Sequence, residues 1–278
     1  MAKLTFKLTR DTLFKILFVK HEDLLKNLVS QILCIDIDTI TEFHIENPNI
    51  EPEALGQKFC HLDIKMKVNG QVVNLEVQVK DEDDYPERSL YHWARCYSSA
   101  LATGKDYIDL PRTVAINIVE FELFKDTKDF HSEFRALEVT RHTELTDRMS
   151  MHYFELKKLP KVAESDAENG LKLWLSLFNA ETDEELSKIE KIGGKTMVQA
   201  IQAYKSVVVS DEFKEAEIQR QIAEHNEAAA LRHERTKTQK EFVLNMHEAG
   251  FSNADIVKAS KLTEAEVNNI LDSNNIKS

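Results

Sequence analysis

Residues 61–80, HLDIKMKVNGQVVNLEVQVK, constrain the fold of this chain more than any other segment. Polar and apolar residues alternate along 61–68 and again along 73–80, which is the period of two typical of half-buried strands. Between the two arms lies Asn69-Gly70, a pair that favours a type I′ turn because both central residues of that turn need a positive φ. The sequence therefore predicts a two-stranded antiparallel hairpin.

The predicted hairpin carries acidic side chains on one face. Asp63 on the first arm is expected to share that face with Glu76, Gln78 and Lys80 on the second arm. Mg²⁺ is bound in proteins by one or two carboxylates, with water and substrate phosphate completing its shell. Asp63 and Glu76 would supply the carboxylates, and the Val77 carbonyl is a third candidate ligand. The alternative is a solvated strand face of alternating charge.

The same residues resemble a known nuclease signature. An Asp on one strand, a turn, and Glu-x-Gln on the next strand are similar to the variant PD-(D/E)xK signature of the Rpn recombination-promoting nucleases, which are also described as transposases. The lysine of the general pattern is replaced by glutamine in that family, and Gln78 matches this replacement. One departure is Leu62, which stands where the general pattern has proline.

The resemblance extends over residues 10–120. An N-terminal D-x-x-F-K-x-x-F motif matches Asp11, Phe14, Lys15 and Phe18. An R-x-x-Y helix followed by a G-x-x-Y turn matches Arg88, Tyr91, Tyr97, Gly104 and Tyr107. From this resemblance we expect Asp11, Lys15, Arg88 and Tyr91 to be accessory or phosphate-binding residues. The alternative for Asp11 and Lys15 is a surface ion pair one helical turn apart.

The resemblance implies a Mg²⁺-dependent DNA endonuclease associated with recombination or mobile elements, with Mn²⁺ as a substitute metal. Asp63 and Glu76 would hold the metal, which activates an attacking water. Gln78 would position water or phosphate, and Lys80 would bring the positive charge that glutamine lacks. The alternative is a non-catalytic DNA-binding or protein-interaction module on the same fold, with a regulatory role or a role in phage defence.

Composition limits the class of protein and its partners. The chain has 278 residues, 42% of them hydrophobic, and a net charge of −12, which suits an α/β domain with an extension and counts against strong non-specific DNA affinity. Cys34, Cys60 and Cys96 form no CxxC pair, so we expect reduced thiols and a cytoplasmic protein. No apolar run or signal core suggests a membrane partner, and no nucleotide cofactor is expected.

Residues 1–160 are predicted to form the nuclease-like domain. A helix should begin near residue 10, capped by Thr9 or Asp11, and break near His21. A short strand lies within 40–56. A second helix is predicted over 87–103, ending at Gly104 and packing through Leu90, Trp93, Ala94, Tyr97 and Leu101.

Strands complete this predicted domain. They are expected over 113–121 and, near 135–158, in RALEVTRH and SMHYFELKKL. Arg88 and Arg95 lie seven residues apart and hence on one side of the helix, so we expect them to face phosphate together. This order of elements matches the fold that the resemblance implies, an α/β restriction-endonuclease-like core with a mixed central sheet flanked by helices and an all-helical C-terminal extension.

The rest of the chain is predicted to be helical. Residues 161–210 form a helical extension, and 211–250 form a long charged helix that would offer a surface for a homodimer. Residues 251–278 resemble a helix-turn-helix, with Ser252 or Asn253 capping one helix and Thr263 with Glu266 forming a capping box. Its last helix has three acidic residues and no lysine or arginine over 263–274, so binding of protein is the alternative to binding of DNA.

Overall fold

A computed structural model describes residues 3–47, 49–50, 60–101 and 104–275. Its centre is a six-stranded sheet in the order β1-β4-β5-β6-β8-β7. The pairs β5·β6 and β6·β8 are parallel and the other three pairs are antiparallel, so the sheet is mixed. Its strands are β1 (Phe43–Glu46), β4 (Ile64–Val68), β5 (Gln71–Gln78), β6 (Thr113–Val119), β7 (His131–Phe134) and β8 (Met149–Glu155). A separate pair consists of β2 (Asn49–Ile50) and β3 (Cys60–His61).

The predicted hairpin is confirmed as β4 and β5. The turn residues Asn69 and Gly70 have φ values of 47° and 76°, as a type I′ turn requires. The Asn69 side chain also accepts a 3.0 Å hydrogen bond from the Thr41 backbone N–H. The turn is therefore tied to the segment that leads into β1.

One face of the sheet packs against helices from both ends of the first 214 residues. These helices are α1 (Asp11–Lys20), α2 (Glu22–Leu33), α4 (Gly170–Asn179), α5 (Asp183–Ile192) and α6 (Gly194–Val209). The predicted break at His21 is confirmed. Aromatic and aliphatic side chains of the helices join the strands in a single hydrophobic cluster, which includes Phe14, Phe18, Met66, Leu75, Ile116, Trp174 and Phe178.

The other face of β5, β6 and β8 is covered by α3 (Tyr85–Ser99). The predicted packing stripe on this helix was wrong in part, because Leu90 is 47% exposed and Ala94 is also exposed. The buried positions include Tyr85, Ser89 and Cys96, and Ser89 Oγ lies 2.5 Å from the Tyr153 hydroxyl. The face of α3 that packs on the sheet is therefore determined partly by polar contacts, and hydrophobicity alone does not predict it.

Several local predictions were wrong. The predicted cap of α1 is absent. The N-cap residue is Arg10, whose side chain makes no capping hydrogen bond, and Thr9 Oγ1 donates to Glu120 instead. The strand expected over 135–142 is absent, because β7 ends at Phe134 and the chain turns at residues 139–141, just before His142 with its φ of 56°. Helix α3 ends at Ser99, before Gly104.

The chain divides into two compact units, residues 1–214 and 215–278. The long charged helix is confirmed as α7 (Asp211–Glu248), which is followed by α8 (Asn253–Ser260) and α9 (Glu264–Asn275). Ser252 caps α8, and the Thr263 backbone N–H donates to Glu266 at 2.7 Å in the predicted capping box. Val243, Ile256, Val267 and Leu271 form the core of the second unit. The four-part division predicted from the sequence stays a prediction.

The observed architecture confirms the predicted fold class, a restriction-endonuclease-like α/β core with an all-helical C-terminal extension. Among the described residues, Cys34 and Cys96 form no disulfide. None of the described helices combines the length and the apolar character that crossing a membrane requires.

Candidate active site

The hairpin places the two predicted metal ligands next to each other. Ile64 pairs with Leu75, so Asp63 and Glu76 are the next residues along the two strands. Their side chains are only 18% and 15% exposed. Asp63 Oδ2 accepts a 2.9 Å hydrogen bond from the Val77 backbone N–H, which fixes the Asp63 carboxylate beside the end of β5.

The electrostatic environment of Asp63 is unfavourable for its negative charge. Burial and then the nearby charge of Glu76 raise the pKa of Asp63 to about 6, although Lys15 and the Val77 N–H act in the opposite direction. Two crowded, desolvated carboxylates gain stability when a cation binds between them. The site therefore has the electrostatic character of a cation-binding site.

Lys15 of α1 supplies positive charge at this position. Its Nζ lies 3.0 Å from Asp63 Oδ1 and 2.7 Å from Asp11 Oδ1. Burial disfavours the charged form of Lys15, but the charges and hydrogen bonds of Asp63 and Asp11 outweigh this effect and raise its pKa. The structure thus brings Asp11, Lys15, Asp63 and Glu76 together, and the Asp11 and Lys15 pair is more than a surface ion pair.

Two residues that hold Glu76 were missed by the sequence analysis. Asn74, only 1% exposed, donates from Nδ2 to Glu76 Oε1 at 3.0 Å. Nδ1 of His92, on α3, lies 3.4 Å from the same oxygen. Asn74 had a detectable signal, since it lies two positions before Glu76 and therefore on the same face of the strand. The sequence gives no signal for His92, because its contact with Glu76 depends on how α3 packs against the sheet.

A buried polar network continues from this site across the sheet. The Tyr85 hydroxyl donates to Asn117 Oδ1 at 3.0 Å, and Asn117 Nδ2 donates to the His152 carbonyl at 3.1 Å. Burial, with the charge of Glu76 as the second cause, raises the pKa of Tyr85 well above its ordinary value. Tyr85 is therefore neutral, and its hydroxyl is held in one orientation beside Glu76.

The remaining predicted residues lie at the edge of this cluster or outside it. Gln78 Nε2 donates to the Lys80 carbonyl at 2.9 Å, and the Lys80 side chain is exposed. Arg88 pairs with Glu82 and lies over the Tyr85 ring, 5.1 Å from its centroid. Tyr91 is 37% exposed, with its ring 6.4 Å from that of His92.

The expectation that Arg88 and Arg95 face phosphate together was wrong. Arg95 is only 8% exposed, whereas the Arg88 side chain is 34% exposed and pairs with Glu82. Among the described residues, no three His, Cys, Asp or Glu side chains form a ready-made metal site. The donor set is nevertheless that of a Mg²⁺ site completed by water and phosphate, which needs only one or two protein carboxylates.

A buried oxygen atom without a hydrogen-bond partner among the described residues also supports a metal site at this place. Asn74 Oδ1 is buried and makes no hydrogen bond with another described group, although buried polar atoms are normally paired. It belongs to the amide that holds Glu76. The amide next to Glu76 therefore has an acceptor oxygen that no described group satisfies.

Comparison with known proteins identifies a family for this chain. A family model described as "PD-(D/E)XK nuclease family transposase" matches residues 8–234 of the 278. No curated protein and no solved structure matches the chain. The matched region contains the hairpin, the flanking helices and most of α7.

Proposed function

Because the chain belongs to the PD-(D/E)XK nuclease family transposases, we propose that it is a divalent-metal-dependent DNA endonuclease. The observation that carries this proposal is the pair of adjoining, largely buried carboxylates of Asp63 and Glu76, in which the pKa of Asp63 is raised to about 6. A purely structural hairpin gains nothing from such crowding. The substrate would be DNA associated with recombination or mobile elements.

Asp63 and Glu76 would hold Mg²⁺ or Mn²⁺. When bound, such an ion polarises the scissile phosphate and lowers the pKa of an attacking water. Asn74 and His92 keep the Glu76 carboxylate in one orientation. The protein's contribution is therefore to present two carboxylates whose positions are set before the metal and DNA arrive. The Val77 carbonyl stays a candidate third ligand.

Lys15 takes the role of the lysine that the signature lacks. It already lies 3.0 Å from Asp63, whereas Lys80 is exposed and only its carbonyl contacts Gln78. An ammonium group at this place would stabilise negative charge on the phosphate in the transition state. We therefore assign the positive charge to Lys15 of α1, in place of Lys80.

Gln78 would orient water or a phosphate oxygen. Its amide is neutral and therefore cannot act as a base. Asp11 would hold Lys15, while Arg88 and Tyr91, on α3, would contact DNA further from the cleaved bond. Arg88 must first leave Glu82 to do so. The proposed reaction uses no nucleotide cofactor. We also propose that the chain forms a homodimer through α7 and that it is located in the cytoplasm.

Cleavage of supercoiled plasmid tests the proposal. The wild type is compared with Asp63→Asn and Glu76→Gln in Mg²⁺, in Mn²⁺ and in EDTA. We expect metal-dependent nicking that both substitutions reduce by at least about 10²-fold. Glu46→Gln is the matched control, because Glu46 is a carboxylate of the same sheet that pairs with Lys65 and Lys67.

Binding of Mn²⁺ measured by calorimetry separates the alternatives. Equal activity in all variants would contradict the assignment of the active site. Metal binding to the wild type without cleavage of any DNA would favour the alternative of a non-catalytic module on the same fold.

A further inference from the structure

The second unit contains a groove with a basic residue in its lining and further cations next to it in sequence, which the family match does not explain. The matched region ends at residue 234. Beyond it, α7 and α8 enclose a groove of about 400 Å³ lined by Arg235, Thr238, Gln239, Phe242, Ala259 and Ser260. Lys258 and Lys261 flank the two lining residues of α8 in sequence, and Arg232 lies one turn before Arg235 on α7.

The charge of this region is opposite to that of the whole chain. Residues 232–240, RHERTKTQK, contain four lysine or arginine residues and one glutamate, although the net charge of the chain is −12. Neither Glu234 nor Glu241 pairs with a groove cation among the described residues. A concentration of positive charge in an acidic chain is the electrostatic footprint of a polyanion site.

Arg235 in the groove lining and the neighbouring Lys258 and Lys261 are exposed and lack acidic partners among the described residues. Exposed cations without partners contribute little to folding, so their concentration at one groove indicates an external anion.

The groove also offers neutral hydrogen-bond donors. The Ser260 hydroxyl oxygen accepts from the Leu262 N–H at 3.3 Å, so its proton remains for a ligand, and the Gln239 amide lines the same groove. Phe242, 42% exposed, adds an apolar wall. Cations, hydroxyls and amides are the groups that contact phosphate oxygens of DNA.

We propose that the groove between α7 and α8, with its flanking cations, binds the phosphate backbone of DNA. The bound segment is recognised by charge and independently of sequence, because the groups involved contact phosphates. Helix α9 occupies the position of a recognition helix, but Glu264, Glu266 and Asp272 make it acidic. The helix-turn-helix-like segment therefore contacts DNA through α7 and α8, and α9 serves to pack Val267 and Leu271 into the core of the unit.

Fluorescence anisotropy with a labelled 20-base-pair duplex tests this proposal in EDTA, with the full chain. The variant combines Arg235→Gln, Lys258→Gln and Lys261→Asn; asparagine is chosen because Lys261 has a φ of 58°. We expect binding about 30-fold weaker and a log–log salt slope smaller by about 2 to 3, as loss of three phosphate contacts predicts.

The matched control removes the same charge elsewhere. Lys128→Gln, Lys191→Gln and Lys195→Gln together change the net charge equally, and none of these lysines forms an ion pair with another described residue. This control should bind DNA within about twofold of the wild type. The three single groove variants are measured as well. If circular dichroism shows that the triple variant is misfolded, the single variants still test the proposal. Each single variant should weaken binding several-fold.

Three outcomes would overturn the proposal: no duplex binding by the wild type, wild-type affinity in all the groove variants, or an equal loss in the control. Because the assay contains no metal and needs no cleavage, an inactive nuclease that binds DNA through the groove would still support it. Loss of cleavage in the active-site variants, conversely, leaves this binding unchanged.

Discussion

Lys15 Nζ lies 3.0 Å from Asp63 Oδ1, although one residue belongs to the first helix and the other immediately precedes β4. The contact joins the N-terminal motif to the hairpin. It also places a cation at the site from outside the strand that carries Gln78. In the proposed function, this contact lets another element of the fold supply the positive charge of the signature.

Replacing Lys15 should reduce cleavage more than it reduces stability. We expect Lys15→Met to lower the cleavage rate about 10²-fold, because the charge next to the phosphate is lost. Lys15→Arg should retain part of the activity. The measurement is plasmid nicking under saturating Mn²⁺, with Lys65→Met as the control, since Lys65 is a lysine of the same sheet region that pairs with Glu46 at 3.1 Å. Equal loss in both variants would contradict a role specific to Lys15.

The raised pKa of Asp63 should make the metal-free protein less stable at neutral pH. The ordinary value is 3.8 and the folded value is about 6, so between these values the native state binds the proton and the unfolded state does not. The free energy of unfolding therefore falls as pH rises from about 4 to about 6, by roughly 3 kcal/mol from this group.

Asp63→Asn should remove this pH dependence. The variant should be more stable than the wild type at pH 7.5 without metal, while the two differ little at pH 4.5. Urea unfolding at both pH values measures the effect, with Asp38→Asn, on the exposed turn before β1, as the control. A wild type whose stability rises between pH 4.5 and 7.5 by the same amount as that of Asp63→Asn would contradict the assignment.

The hairpin could be predicted because its information is local. The period of two and the Asn69-Gly70 turn determine the strands, the register and hence the proximity of Asp63 and Glu76. The contact of Lys15 with Asp63 is different, because it depends on how α1 packs against the sheet. The family resemblance pointed to Lys15, but its partner was visible only in the folded chain.

The face of α3 was harder to predict because its buried side chains are polar. Ser89 and Tyr85 are buried with partners on β8 and β6, while Leu90 faces solvent. Hydrophobic periodicity cannot detect a helix face whose burial depends on hydrogen bonds across the interface. The same limitation hid His92, which lies on α3 and reaches Glu76.

The contacts of Glu76 with Asn74 and His92 should set metal affinity. We expect Asn74→Ala and His92→Phe each to raise the Mn²⁺ concentration for half-maximal cleavage about 10-fold, because partners of a ligating carboxylate typically contribute 10 to 100-fold. His92→Gln should recover part of the loss, as its amide can donate to the same oxygen. Asn179→Ala, which removes a hydrogen bond to the Leu156 carbonyl, is the control.

Calorimetric Mn²⁺ binding separates positioning from a general structural effect. If the Asn74 and His92 variants bind Mn²⁺ as the wild type does, while cleaving more slowly at every concentration, these residues do not position Glu76 for the metal.

The buried pair of Glu155 and Lys158 should be the most sensitive ion pair for stability. Glu155 Oε1 accepts from the backbone N–H groups of Leu123 and Phe124, and Oε2 lies 2.8 Å from Lys158 Nζ. The exposed fractions of the two side chains are 0% and 7%. Lys158→Met leaves a buried carboxylate without its cation, which should cost about 3 kcal/mol or more.

The double variant Glu155→Gln with Lys158→Met should recover part of that loss, because the unpaired charge is then absent. Lys205→Met is the control: Lys205 is half-exposed and lies 3.8 Å from Glu190, so its loss should cost about 0.5 kcal/mol or less. Urea unfolding of the metal-free protein measures all three variants. If Lys158→Met and Lys205→Met have equal effects, the pair does not fix the loop at Leu123 and Phe124, and the backbone N–H groups alone compensate the charge of Glu155.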